Sequence, residues 1–242
     1  QMKRLLTQSV DVLNRGAKID HRDVNLKGRT TATVHLVNGE ICLAEKDFSS
    51  AIAHLESGLD VKHQDAELSS RLQDVLRLSR AEQLLCARAF DEAFNAFDKP
   101  VDEHRHGDPD LNARVSAFSS LAGGESFRVC KDFDSALDLL QTGLELEHTD
   151  SHLRQRLNIA FSFVTAERKL HDNLCVEAVE VVDQALKQPL INSEATAALR
   201  ALRYLARGAH CLQCSNLDGA VNCFKSGIEL DSDHAESELT AR

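Results

Sequence analysis

Ala51, Ala93, Ala136, Ala178 and Ala220 stand 42, 43, 42 and 42 residues apart, each in the same local setting. Three residues before each comes Phe48, Phe90, Phe133, Cys175 or Leu217. Twelve before it comes a small residue: Gly39, Ala81, Gly124, Ala166 or Gly208. Four after it comes a bulky apolar one: Leu55, Phe97, Leu140, Val182 or Phe224. Four columns that keep one register through five units define a tandem repeat. A unit of about 42 residues closes no core alone, so successive units must bury their apolar faces on one another.

Each unit reads as two helices. In the first, Val34, Leu36, Val37, Ile41, Cys42 and Leu43 recur at helical spacing over roughly 24–46, and Ala51, Ile52, Leu55 and Leu59 over roughly 48–61. A turn at Lys46-Asp47 separates them, and residues 62–65 close the unit. Asp47, Asp132 and Asn216 are placed to cap second helices. The small column predicts a close approach of the paired helices, with the alanine of the second helix as its facing partner. The column of Leu55 then contacts the next unit, and Phe48, Phe90, Phe133 and Leu217 fill the turn. The predicted fold is all-α, one solenoid over 1–242 with helix pairs at 22–65, 66–108, 109–150, 151–191 and 192–234. A half repeat at 1–21 (second helix only) precedes them, and a tail at 235–242 follows.

A longer repetition overlies the first. Lys46-Asp-Phe-Ser-Ser-Ala51 matches Lys131-Asp-Phe-Asp-Ser-Ala136 at a distance of 85 residues, and Ala81-Glu82 and Glu92-Ala93 match Ala166-Glu167 and Glu177-Ala178. An ancestral pair of units, duplicated, explains both. The segment Gly16-Ala-Lys-Ile-Asp-His-Arg-Asp23 carries the ending found after Gly58, which is why 1–21 reads as a truncated unit cut from a longer chain. The least regular stretch is Pro100–Asp110. Its Pro100, Gly107 and Pro109 predict a surface loop between units.

A net charge of −10 argues against nucleic acid as a general partner, and against an anionic membrane surface. No apolar run approaches the ~18–20 residues a membrane span needs, and no signal peptide is visible. Seven cysteines, an odd number, suit a reducing cytoplasmic setting better than a disulfide framework. Cys42, Cys86, Cys130 and Cys175 lie on or beside apolar columns and read as small buried hydrophobes.

The order small residue, Phe, Ala, bulky apolar, as in the run from Gly39 to Gly58, resembles the tetratricopeptide repeat. Phe127 and Cys211 stand where that family often has Tyr. The family's early Trp is absent, and its closing Pro is His63 or His148. The period of 42–43 exceeds the common 34 and is similar to that of kinesin light chain repeats. The resemblance implies a right-handed superhelix, with first helices lining a concave groove that binds a peptide or helix of another protein, and no catalysis.

By the same resemblance, Glu40, Glu82, Glu125 and Glu167, one residue after the small column, face the groove. Four carboxylates would attract a Lys- or Arg-bearing segment. Set about 15–20 Å apart, they would repel one another by only ~0.2 kcal/mol in water. Leu36, Leu78, Leu121 and Phe163, one turn earlier, would supply pockets for apolar anchors. Glutamate at 40 and leucine at 36 do not suit the carboxylate-clamping co-chaperone subclass. A second reading is self-assembly through an apolar edge made of Leu5, Leu6, Val10 and Leu13. A third is metal binding at Cys211-Leu-Gln-Cys214. Structural zinc needs four ligands and no second C-x-x-C exists, so core packing is the favoured reading there. His104 and His106 read as part of a solvated loop. No phosphate loop, nucleophile elbow or H-E-x-x-H is found, and neither an enzyme nor a cofactor is expected.

Overall fold

The computed structural model describes residues 12, 15–16, 23–97, 108–188 and 193–240, with backbone alone at 193 and 231–240. Leu5, Leu6, Val10, Leu13, His104 and His106 lie outside the described residues. Within them the chain is helical, with no strand: α1 (Val24–Ala44), α2 (Phe48–Asp60), α3 (Ala66–Cys86), α4 (Phe90–Asn95), α5 (Pro109–Val129), α6 (Phe133–Glu145), α7 (Ser151–His171), α8 (Cys175–Ala185), α9 (Ser193–Gln213) and α10 (Leu217–Thr240). Two compact units result, Gln1–Ala122 and Gly123–Arg242. No described helix is long and apolar enough to cross a membrane.

The structure resolves the period into parts. All five first helices (α1, α3, α5, α7, α9) have 21 residues, a length of about 31 Å. A three-residue turn follows each. In the first and third repeats a 13-residue second helix and a five-residue connection complete the 42. In the second, α4 stops after six residues. The chain becomes helical again at Pro109, inside the stretch read from sequence as a loop. Proline suits the first position of a helix because its missing N–H has no intrahelical acceptor there and its φ is already helical.

The turn is the same five times. Lys46, Arg88, Lys131, Asn173 and Ser215 all have positive φ, between 57° and 63°. In the first, the Lys46 N–H donates to the Leu43 carbonyl (3.0 Å) and the Asp47 N–H to Cys42 (2.9 Å). This is a Schellman stop, in which two carbonyls at the helix end gain partners at the cost of one left-handed residue. Asp47 then caps the next helix through its carboxylate, which accepts from the Ser50 N–H (3.1 Å). Asp132 and Asn216 do the same for Ser135 (3.2 Å) and Gly219 (2.9 Å). At Ala89 and Leu174 no side chain caps the second helix, so capping follows the 85-residue alternation. First helices have their own capping column: Asp23, Asp65, Asp108 and Asp150 accept from Leu26, Leu68, Leu111 and Leu153 at 3.2, 3.0, 3.1 and 2.9 Å.

The alanine column is the centre of each hairpin: Ala51, Ala93, Ala136 and Ala178 are fully buried, and Ala220 is 1% exposed. The small column, however, faces the bulky column of its own hairpin and not the alanine. A Cβ added to Gly39 would lie 2.7 Å from Leu55 Cγ, and one added to Gly124 2.5 Å from Leu140 Cγ; at Gly208 it would strike the Phe224 ring. The pairing is geometric. Antiparallel helices joined by three residues bring 39 opposite 55, whereas 51 lies nearer the turn.

Each unit adds its own layer contacts. In the first, Leu72 of α3 packs over Gly58 of α2, where an added Cβ would come within 2.9 Å of Leu72 Cδ2. In the second, Ala166, Val182, Ala185, Leu199 and Leu202 form one buried cluster that joins α7 and α8 to α9. First helices also adjoin one another, α1 with α3 and α7 with α9. The cysteines divide. Cys175 is buried, Cys42, Cys211 and Cys223 are half-buried, and Cys86, Cys130 and Cys214 are exposed. The reading of Cys86 and Cys130 as buried is therefore corrected, since both fall at the helix end where the chain turns into solvent.

Candidate functional site

Within each unit, side chains on one first helix meet those on the next. In the first unit, Glu40 of α1 pairs with Arg71 of α3 at 3.1 Å. Arg71 belongs to a column the sequence reading passed over: Arg29, Arg71, Arg114 and Arg156, spaced 42, 43 and 42. Arg29 pairs with the cap Asp65 at 2.8 Å. Hydrogen bonding from the Leu68 N–H, with the Arg29 charge beside it, holds the Asp65 carboxyl below its ordinary value. The first-helix surface thus carries a cationic column as well as an acidic one. Glu82 of α3 is half-buried.

In the second unit the arrangement is tighter. Arg128 of α5 donates from Nε to Glu125 (2.9 Å) and from Nη1 to both oxygens of Glu167 on α7 (3.3 Å each). Its guanidinium lies over the Phe163 ring, 5.3 Å from the centroid, within cation–π range. The three charged side chains are only 20–28% exposed. Burial works against the Arg128 charge, but Glu125 and Glu167 more than offset it and raise its pKa. Burial pushes the Glu167 carboxyl above the usual carboxylate range; Arg128 opposes this in part and Glu125 adds to it. The spacing of about 15–20 Å expected between successive carboxylates fails here. Adjacent first helices pack directly, so two members of the ladder reach one guanidinium.

Arg128 breaks a column. Leu43, Leu85, Leu170 and Leu212 occupy its position in the other repeats, and Phe163 stands where Leu36, Leu78, Leu121 and Leu205 stand. The two departures from leucine touch each other. That coincidence was the available signal, and it becomes visible only when residues 35 apart in sequence are known to be neighbours.

The apolar candidates fare differently from the acidic ones. Leu36, Leu78 and Leu121 are 4%, 1% and 4% exposed, so they are core residues and offer no pocket. Phe163 alone of the four is half-buried, and it lies under Arg128. At the C-x-x-C, Cys214 Sγ lies 3.8 Å from His210 Nε2. Among the described residues no three metal-ligating side chains gather. Core packing describes Cys211 only in part and does not describe the exposed Cys214.

The fold and this face define a class: an all-helical protein of sequentially packed hairpins, with ion pairs that join one first helix to the next. No protein-family model matches the chain, and neither a curated protein nor a solved structure matches it.

Proposed function

We propose that this chain is a non-catalytic protein-interaction scaffold of a reducing compartment, a right-handed solenoid of tetratricopeptide-like hairpins. It binds a Lys- or Arg-bearing segment of another protein along the first-helix face. The observation that carries the reading is the convergence of Glu125 and Glu167 on the single guanidinium of Arg128. Two carboxylates against one cation leave a net negative charge in a partly desolvated setting, where a further cation is favoured more than on an open surface. The half-exposed Phe163 ring adds an apolar wall beside it.

The reading is tested by selecting binders from a random peptide display library on the immobilised protein. Enrichment of basic segments is expected, with binding weakened in Glu40→Gln/Glu82→Gln and in Glu167→Gln. Glu92→Gln/Glu180→Gln, on second helices, serves as control. Equal loss in test and control variants, or enrichment of sequences without basic residues, refutes it.

A further inference from the structure

Two histidines meet inside the first hairpin. An added Cβ at Gly58 would lie 3.1 Å from His35 Cβ, so α1 and α2 approach closely where the glycine leaves room for that side chain. His54 stands one helical turn before Gly58 on α2. The two imidazoles come together there, with ring centroids 5.7 Å apart and planes tilted by 47°. Both side chains are half-buried.

Apolar packing does not call for this pair. In the later hairpins the column of His54 holds Ala96, Leu139, Val181 and Cys223, and that of His35 holds Arg77, Ser120, Ser162 and Tyr204. The first hairpin alone places an imidazole in both. His35 Nδ1 is moreover buried with no hydrogen-bond partner among the described residues. A buried polar nitrogen without a partner opposes folding, and a ligand that takes its lone pair removes that cost. Burial, and then the charge of a protonated His54, favour the neutral form of His35. Neutral imidazole is the form that ligates a metal.

The separation fits a shared ion. Imidazole nitrogens sit ~2.0–2.1 Å from zinc, and ligand angles near the tetrahedral value then put two ring centroids roughly 5–6 Å apart. We propose that His35 and His54 form a two-imidazole site for a late first-row divalent ion of the zinc type, bridging α1 and α2. Among the described residues no third protein ligand gathers, so water completes the coordination shell. The site is thus an open one, unlike the closed four-ligand sites that hold structural zinc. Imidazole suits zinc, nickel and copper, whereas calcium and magnesium need oxygen ligands. The site uses no residue of the cluster formed by Glu125, Arg128 and Glu167, and it does not depend on the binding of a basic segment.

The test uses the full chain, kept reduced and freed of metal by a chelator. Calorimetric titration with zinc chloride alone is expected to show a saturable event that calcium does not compete for. His35→Gln and His54→Gln should each weaken it at least about tenfold with circular dichroism unchanged. The double variant Cys211→Ser/Cys214→Ser should retain it. In protein labelled with ¹⁵N in histidine only, zinc should shift two ring resonances, the ones that His35→Gln and His54→Gln remove. Absence of saturable binding overturns the proposal. Equal affinity in the parent and both histidine variants does so too, since it leaves only an adventitious ion. Shifts confined to other histidines, or a loss in only one of the two variants, would break the pairing and likewise overturn it.

Discussion

Replacing Gly124 by alanine sets two effects of opposite sign against each other. Gly124 is inside the 21-residue helix α5, where helix propensity alone favours alanine by about 1 kcal/mol. Packing opposes the change. The new Cβ would lie 2.5, 2.7 and 3.1 Å from Cγ, Cδ2 and Cδ1 of Leu140, whose side chain is fully buried. Ordinary carbon contacts are ~3.5–4 Å, so either Leu140 or the helix must shift by about 1 Å. Cγ is the branch point of Leu140, so no rotation of a flexible end relieves the overlap. Overpacking of this kind costs about 1–3 kcal/mol and more where backbone must move. Because the overlap is at a branch point that rotation cannot relieve, the upper half of that range applies (about 2–3 kcal/mol), and the expected net loss is about 1–2 kcal/mol, read as a fall of roughly 0.5–1 M in the urea midpoint for a transition of ordinary slope. The fourth hairpin supplies the remedy, since it pairs Ala166 with Val182, both fully buried. Leu140→Val alone removes a buried methylene and costs about 1 kcal/mol. Gly124→Ala with Leu140→Val should therefore be more stable than the sum of the two single losses predicts, by about 1 kcal/mol. A Gly124→Ala protein as stable as the parent or more stable, or strictly additive changes, refutes the account of the small column as a packing device.

Further outcomes follow from the turns and the charges. Ser215, at φ 57°, should accept glycine with a gain of about 0.5–1 kcal/mol, seen as a raised melting temperature. Asp150→Ala removes the cap on the Leu153 N–H and should cost about 1 kcal/mol. Burial, and then the neighbouring His54 ring 5.7 Å away, depress the His35 pKa. Folding thus favours the neutral imidazole, and the associated stability is complete above pH ~6.5 and is lost as pH falls through the folded value. The urea midpoint should drop between pH 7.5 and 5.5, less so in His54→Leu; an identical slope in the variant refutes the pairing. Arg128→Leu restores the residue at positions 43, 85, 170 and 212, yet it should destabilise by about 1–3 kcal/mol at pH 7 because Glu125 and Glu167 lose their shared counter-ion. A carboxyl raised in the folded state binds protons more readily there, so this deficit should shrink as pH is lowered toward 5; a deficit constant from pH 8 to 5 contradicts it.

The hairpins were legible because their columns are periodic and each column has one physical role. Gly39, Phe48, Ala51 and Leu55 announce a first helix, a turn and a second helix, and the observed bounds of α1 and α2 fall within two residues of those read from the pattern. Which column faces which was not legible. The spacing places 39 and 55 on helices that approach, but only the length of the turn decides that Leu55, and not Ala51, sits over Gly39. The left-handed residue at 46, 88, 131, 173 and 215 left no trace in composition, since Lys, Arg, Asn and Ser share that position and none is glycine. Leu36, Leu78 and Leu121 were misplaced for a related reason. One repeat considered alone shows a leucine on the outer side of its first helix. That leucine is nevertheless buried, and the sequence of a single repeat contains no information about how closely its neighbours pack.

The acidic ladder was legible as a column and not as an electrostatic object. Column counting gives four carboxylates; geometry attaches Arg71 to one and Arg128 to two others, so that three of the four share two counter-ions. For the proposed basic partner this changes the balance of terms. Attraction at a distance depends on net charge and is reduced by the arginines, so steering at low salt is weaker than four bare glutamates would give. Attraction at contact depends on local desolvation, and there the second unit is favoured, because Glu167 is held at a carboxyl pKa above the usual range by burial that Arg128 does not fully offset. A partner ammonium or guanidinium placed beside Glu167 would supply the missing compensation and lower that pKa. Binding should therefore be accompanied by proton release at mildly acidic pH, a signature measurable as a buffer-dependent calorimetric enthalpy. An exposed acidic track at ordinary carboxylate pKa values gives no such release where its groups are already ionised, and the absence of release on binding a basic peptide would place the contact away from Glu125, Arg128 and Glu167.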